Sequence, residues 1–305
     1  IFLSIFQFEK LDTIFYHVDE KYKNNIQIKT KVMNIIFLTD LDGTMLSHDN
    51  FSCDSIKNDI INFLESGIII IFNSSKTRKE IENISRSFGV IFPYICENGG
   101  EFFLPELQAN EEKNKLYNLK LGKEIEEIQF IWGTYTRSEL KNKCKFIKDM
   151  EVYYQSKILG IKNEFLDNAL ARQFSLPFLF EGSNCELESL RIDLKKLGLN
   201  IKKGGRVHNL SADHDKNSYF DILRNYFKIK NKFPIIVGFG DHDNDREFLE
   251  SSDVACIIKQ YNGAYLNLKY PPKKVFYSES CAPTGWIEEA YKALDYMNNN
   301  ILKEK

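Results

Sequence analysis

The sequence predicts an α/β protein with a mainly parallel sheet, interrupted by an inserted second α/β unit. Three observations carry that expectation. From Met33 onward, short apolar β-rich runs alternate with amphipathic helical stretches. After Pro105 this rhythm gives way to a charge-rich stretch reaching about Gly205, and beyond it the βα alternation returns. A chain of 305 residues also has room for two modest domains at roughly 100–200 residues each. The expected division is a first domain built from 33–106 and 207–305, with 107–206 inserted. Residues 1–32, which precede the first Met, are expected to be an extension outside the functional domain.

The elements follow in order. Residues 35–39 are uniformly apolar and read as a buried strand; Ile56, Ile60, Phe63 and Leu64 then recur at helical spacing and stop before Gly67. A second buried strand covers 68–72. Ile81, Ile84 and Phe88 mark one face of a second helix that ends at Gly89, and 94–96 is the third strand. In the inserted stretch the helical candidates are 138–150 and 185–197. The returning rhythm predicts a helix over 219–227, a very apolar strand over 234–239, a helix over 243–249 and a strand over 254–258.

Composition narrows the function classes. Lys+Arg number 41 against 43 Asp+Glu, without a basic block, which argues against a nucleic-acid scaffold or a polybasic membrane binder and leaves phosphate-sized ligands open. The longest apolar run is far short of the ~20 residues a membrane helix needs. The six cysteines are scattered with no C-x-x-C pair, so reduced thiols in a cytoplasmic protein are expected rather than zinc or a disulfide scaffold.

In open α/β sheets ligands bind beyond the carboxyl ends of the strands, so the polar residues there belong together. The first strand runs into Asp40-Leu41-Asp42-Gly43-Thr44: one carboxylate at the strand end for an electrophile or a cation, a second two residues on for acid/base work. The second strand ends in Asn73-Ser74-Ser75-Lys76-Thr77-Arg78, hydroxyls and N–H groups ahead of a helix, where an anion sits well. Thr77 followed by Glu80 fits a helix cap, which leaves Ser74 unexplained. The strand at 234–239 leads into Asp241-His242-Asp243-Asn244-Asp245, an oxygen-rich set suited to a hard cation such as Mg²⁺ but lacking the spacing of an EF-hand. Lys216 stands at a helix start.

Together these four segments resemble the haloacid dehalogenase-like phosphohydrolases, whose four motifs occur in this order. The resemblance implies a Rossmann-like core with a C2-type cap, an inserted α/β lid that selects the substrate and excludes water. It also implies Asp40 as nucleophile, Asp42 as acid/base, Ser74 as phosphate donor and Lys216 as charge neutraliser. Mg²⁺ would be held by Asp40, the Asp42 carbonyl and Asp241, with Asp245 acting through water.

Within that branch the chain is similar to the mannosyl-3-phosphoglycerate phosphatase family. The likeness rests on 73–78, on 96–100 (Cys-Glu-Asn-Gly-Gly), on 171–178 (Ala-Arg-Gln-Phe-Ser-Leu-Pro-Phe), on 204–208 and on Pro283-Thr284-Gly285-Trp286. The wider branch mostly carries Thr-Gly-Arg where this chain has Ser74-Ser75-Lys76. The implied substrate is a small phosphorylated sugar-glycerate, with no nucleic acid or membrane partner. Arg172 and Arg206 are expected to take its carboxylate. Asn98, Gly99 and Gly100 are expected to offer backbone N–H groups, and Ser75, Lys76 and Asn244 to line the same site. Hydrolysis of the glucosyl analogue, a phosphomannomutase-like transfer and a silent sugar-phosphate binder remain the alternatives.

Overall fold

A computed structural model describes residues 35–105, 117–204, 206–230 and 234–300; the expectation for residues 1–32 lies outside them. The larger sheet begins with β1 (Ile35–Thr39), β2 (Ile69–Asn73), β3 (Tyr94–Cys96), β4 (Glu101–Leu104) and β5 (Tyr117–Lys120). In the inserted region come β6 (Cys144–Phe146), β7 (Ser175–Phe180), β8 (Leu199–Lys203) and β9 (His208–Ala212). The chain then returns to the larger sheet with β10 (Ile235–Gly240), β11 (Val254–Lys259) and β12 (Lys274–Cys281). That sheet has eight strands in the order β12-β11-β10-β1-β2-β3-β4-β5, parallel except for β4, which runs antiparallel to its neighbours β3 and β5. The smaller sheet, β6-β7-β9-β8, is antiparallel.

Central strand β1 is buried throughout, as its unbroken apolar run requires in a sheet covered on both faces. On one face Phe37, Phe239 and Trp286 pack with Phe63 of α1 (Lys57–Glu65) and Ile81 of α2 (Arg78–Phe88). On the other, Ile36, Leu38 and Ile71 meet Leu223 and Phe227 of α8 (Phe220–Lys230) and Phe248 of α9 (Arg246–Ser251). Each fully buried side chain of this size contributes about 1.5–3 kcal/mol. The smaller sheet covers one face with α3 (Ile125–Tyr135) and α7 (Asn184–Lys195), through Ile128, Trp132, Leu190, Leu176 and Phe178. The remaining helices are α4 (Ser138–Lys141), α5 (Val152–Leu159), α6 (Asn163–Leu170) and the C-terminal α10 (Thr284–Asn300).

Two expectations need correction. The helix anticipated over 138–150 is one short turn, α4, followed by β6 and a 3-10 turn over Ile147–Asp149. Pairing of Cys144–Phe146 with β7 overrides the local helical spacing. The chain also crosses between sheets later than 106 and 206, because β5 pairs with β4 in the larger sheet and β9 with β7 and β8 in the smaller. The six cysteines are free: three are buried, Cys144 and Cys281 are half-buried, and Cys185 is exposed. No helix among the described residues is long and apolar enough to cross a membrane.

Candidate active site

Parallel register brings the site together. Thr39 of β1 is level with Phe72 of β2 and Phe239 of β10, so Asp40, Asn73-Ser74 and Gly240-Asp241 emerge side by side at the carboxyl edge. The chain turns tightly after Asp40, with the Leu41 carbonyl accepting from the N–H groups of Thr44, Met45 and Leu46. Gly43 sits at φ +76°, and a Cβ there would stand 2.8 Å from Asp241 Oδ2. A side chain at this position would push on the carboxylate it faces.

The carboxylates of Asp40, Asp241 and Asp245 are buried, with ligand oxygens all within 4.8 Å of one another. Lys216, also buried, places Nζ 2.5 Å from Asp40 Oδ1 and 2.7 Å from Asp245 Oδ1. The second oxygen of Asp245 accepts from the Asp241 and His242 N–H groups. Asp241 accepts from Thr44 Oγ1 at 2.9 Å and lies 2.6 Å from His242 Nδ1. Burial pushes Asp40 well up from the carboxylate range and raises Asp245 too; Lys216 opposes this and the neighbouring carboxylates add to it. For Lys216 burial acts downward, but Asp245 and Asp40 outweigh it and the ammonium is held charged. The hydrogen bond to Asp241 lifts His242 to about 9. Three carboxylates facing the Lys216 ammonium and the His242 imidazolium still leave excess negative charge in a buried place, which is costly unless a further cation offsets it. An all-oxygen donor set of this kind suits Mg²⁺.

Asp42 lies outside this cluster of side chains, half-buried, with Oδ1 2.9 Å from Lys76 Nζ. Lys76 also reaches Glu80 at 3.5 Å and carries the Phe51 ring 4.8 Å away. Burial acts to lower Lys76, but Asp42 and Glu80 raise it to about 12. Ser74 is fully buried, with Oγ accepting from the Lys76 N–H, and Thr77 with Glu80 closes the expected capping box on α2.

The Asn98-Gly99-Gly100 expectation is corrected. The Asn98 N–H donates to Ser74 O, and those of Gly99 and Gly100 both donate to Cys96 O, so none is offered to a ligand. This turn is structural: Glu97 and Asn98 take left-handed conformations at φ 48° and 56°, each costing roughly 1–2 kcal/mol. Gly99 (φ +98°) packs so closely that a Cβ would lie 2.0 Å from Asp215 O. Asn244 is exposed, and its Nδ2 donates to Asn98 Oδ1 of this turn at 3.4 Å.

Arg172 and Arg206 do not share a partner. Arg172 Nη1 donates to Ser75 O at 3.3 Å and to Ser175 Oγ at 3.0 Å, at the edge of the Ser74 loop. Arg206 is exposed and donates instead to Leu159 O at the end of α5.

Sequence reasoning missed Glu97 itself, Thr44, and Gln260, whose Nε2 donates to Asp241 O at 2.6 Å. It also missed the role of Trp286, whose indole N–H bonds Thr39 Oγ1 at 3.0 Å. Glu97, Thr44 and Trp286 lay inside stretches singled out in the sequence, but no local signal assigned these contacts to them, and Gln260 had no signal at all.

Comparisons with known proteins agree with this geometry. The profile of the haloacid dehalogenase-like hydrolase family matches residues 36–264. The chain belongs to that family, as an enzyme of the phosphoric monoester hydrolase class. It is 29% identical over 269 residues to the glucosyl-3-phosphoglycerate/mannosyl-3-phosphoglycerate phosphatase of Persephonella marina, covering 86% of this chain and 97% of that protein. It is also 29% identical over 239 residues to the mannosyl-3-phosphoglycerate phosphatase of Pyrococcus horikoshii, covering 74% and 91%. Among solved structures, a haloalkanoate-superfamily phosphatase from Bacteroides thetaiotaomicron superposes with a TM-score of 0.59 at 15% identity, over 89% of this chain and 99% of that one. The sucrose-phosphatase of Synechocystis gives 0.52 at 12%, over 86% and 98%. These structural likenesses speak to the fold.

Proposed function

We propose that the protein is a Mg²⁺-dependent phosphatase that hydrolyses 2-O-mannosyl-3-phosphoglycerate to mannosylglycerate and phosphate. The observation that carries this reading is the pairing of two anion sites at one strand edge: Lys216 between Asp40 and Asp245, and Arg172 beside Ser75. The first suits a phosphate. The second suits the carboxylate that a sugar-glycerate bears and a simple sugar phosphate lacks.

In this mechanism an Asp40 oxygen attacks phosphorus in line, the bond from phosphorus to the glycerate oxygen breaks, and Asp42 delivers a proton to the leaving oxygen. Water then attacks the aspartyl phosphate, Asp42 takes its proton, and the Asp40 carboxylate and phosphate are released. Lys216 offsets the charge on the transferring group, and the Ser74 hydroxyl donates to a phosphate oxygen. Asp40, the Asp42 carbonyl, Asp241 and Asp245 are the residues that would hold Mg²⁺, which when bound neutralises the phosphate dianion against the nucleophile.

The name of the Persephonella marina relative carries both sugars, which favours the glucosyl substrate as the second reading. The test is phosphate release, with Mg²⁺ and with EDTA, from mannosyl-3-phosphoglycerate, glucosyl-3-phosphoglycerate and mannose 6-phosphate. The expected result is EDTA-sensitive release favouring the mannosyl compound. Equal hydrolysis of all three, or none, would overturn the reading.

A further inference from the structure

Two of the sequence stretches noted above, 96–100 and 171–178, meet through one side chain. Glu97 is only 2% exposed and belongs to the core loop, yet among the described residues the partners of its two carboxylate oxygens lie in the cap. Oε1 accepts from the Gln173 N–H at 2.7 Å, while Oε2 accepts from the Phe174 N–H at 3.1 Å and from Ser175 Oγ at 2.6 Å. Arg172 Nη1 stands 3.9 Å from Oε2. On the core side the same turn is pinned to the Ser74 loop, with Glu97 N–H on Lys76 O at 2.9 Å and Asn98 N–H on Ser74 O at 3.0 Å. The loop that would receive phosphate and the cap residue that would receive a carboxylate are thus tied to one strained turn.

Arg172 spends only Nη1 on the protein; no described residue takes the donors of Nε and Nη2, which leaves one edge of the guanidinium fork for a carboxylate. From this arrangement we infer that Glu97 is a positioning residue. By gripping residues 173–175 it sets Arg172 at a fixed reach from the Ser74 loop, and so selects phosphomonoesters carrying a carboxylate at that separation. The inference rests on the proposed glycosyl-3-phosphoglycerate reading for its substrate and on the Glu97 contacts for its mechanics, and the two are tested separately.

Substrate selection is read in the full-length protein as the ratio of kcat/KM for mannosyl-3-phosphoglycerate to that for p-nitrophenyl phosphate. Glu97→Gln and Glu97→Ala should each lower this ratio at least tenfold, mainly through KM for the glycosyl substrate. Arg172→Ala should lower it comparably, and adding it to Glu97→Ala should cost less than a further threefold, since both act through one guanidinium. Equal losses on the two substrates, or fully additive losses, would overturn the inference. The mechanics are read by amide hydrogen exchange without any substrate: Glu97→Ala should speed exchange at Gln173 and Phe174 at least tenfold while α7 keeps its protection. Unchanged exchange at those two amides, or loss of protection throughout the cap, would also overturn it. If the wild-type protein ignores the glycosyl substrate, the substrate reading falls and the exchange measurement alone decides whether Glu97 holds the cap.

Discussion

At the residue scale the site is a problem of crowded charge. Asp40 shares Lys216 with Asp245 and stands near Asp241, so replacing it with an amide removes one of three mutually repelling carboxylates while Lys216 keeps Asp245. Asp40→Asn should therefore retain the fold, with a melting temperature no lower than wild type, yet lose turnover by three or more orders of magnitude, roughly 4 kcal/mol of barrier. Phosphate release and a thermal melt on the same preparation check both halves; substantial residual turnover would remove Asp40 as nucleophile. The acidic residues here were legible because a carboxylate directly after a buried apolar run has few structural reasons to exist. Asn98, Gly99 and Gly100 were misread because a sequence of small and amide residues fits a ligand cradle and a self-bonded turn equally well. Only the acceptors, Ser74 O and Cys96 O, decide between the two. Glu97 was illegible for a different reason: its partners lie more than seventy residues away, and no local pattern encodes them.

At the element scale, strands were read most accurately where a buried apolar run has sharp polar borders. Residues 35–39 and 94–96 were bounded to the residue, because both are fully buried. The stretch 138–150 was not, because its strand exists only through pairing with β7, and local spacing carries no record of that partner. The C-terminal helix shows how an element far along the chain supports the site. Trp286, fully buried near the start of α10, packs 5.2 Å from the Phe239 ring, and its N–H bonds Thr39 Oγ1, which in turn donates to the Asp40 carbonyl at 2.7 Å. Trp286→Phe removes the hydrogen bond and leaves a void, so a loss of about 2–3 kcal/mol is expected. Urea denaturation measures it, and a loss below about 0.5 kcal/mol would mean that α10 docks without this contact. The lost anchor should also lower kcat, since Thr39 immediately precedes the nucleophile.

At the scale of the whole molecule, the two sheets meet where β9 gives way to the segment carrying Lys216. His214 sits in that joint, buried, with Lys202 reaching across from β8 to donate to its carbonyl. Burial first, and the Lys202 charge second, lower His214 to about 4, while the Glu97 backbone, then Asp215 and Asp213, oppose them more weakly. An unfolded His titrates near 6.5. As pH falls through that value the unfolded chain takes up a proton that the folded protein refuses until about pH 4, so stability is lost with falling pH across this window. At roughly 1.4 kcal/mol per unit the loss approaches about 3 kcal/mol, and above pH 7 His214 contributes no slope. Urea melts of wild type and His214→Gln from pH 7.5 to 4.5 isolate this share, because the carboxylates titrate in both proteins. The wild-type curve should fall more steeply below pH 6.5, and parallel curves would show that the joint admits a charged imidazole. A joint that weakens on acidification is also the place where the cap would first part from the core, so the extra loss should coincide with faster hydrogen exchange at Leu210 and Ser211 before the central strands open.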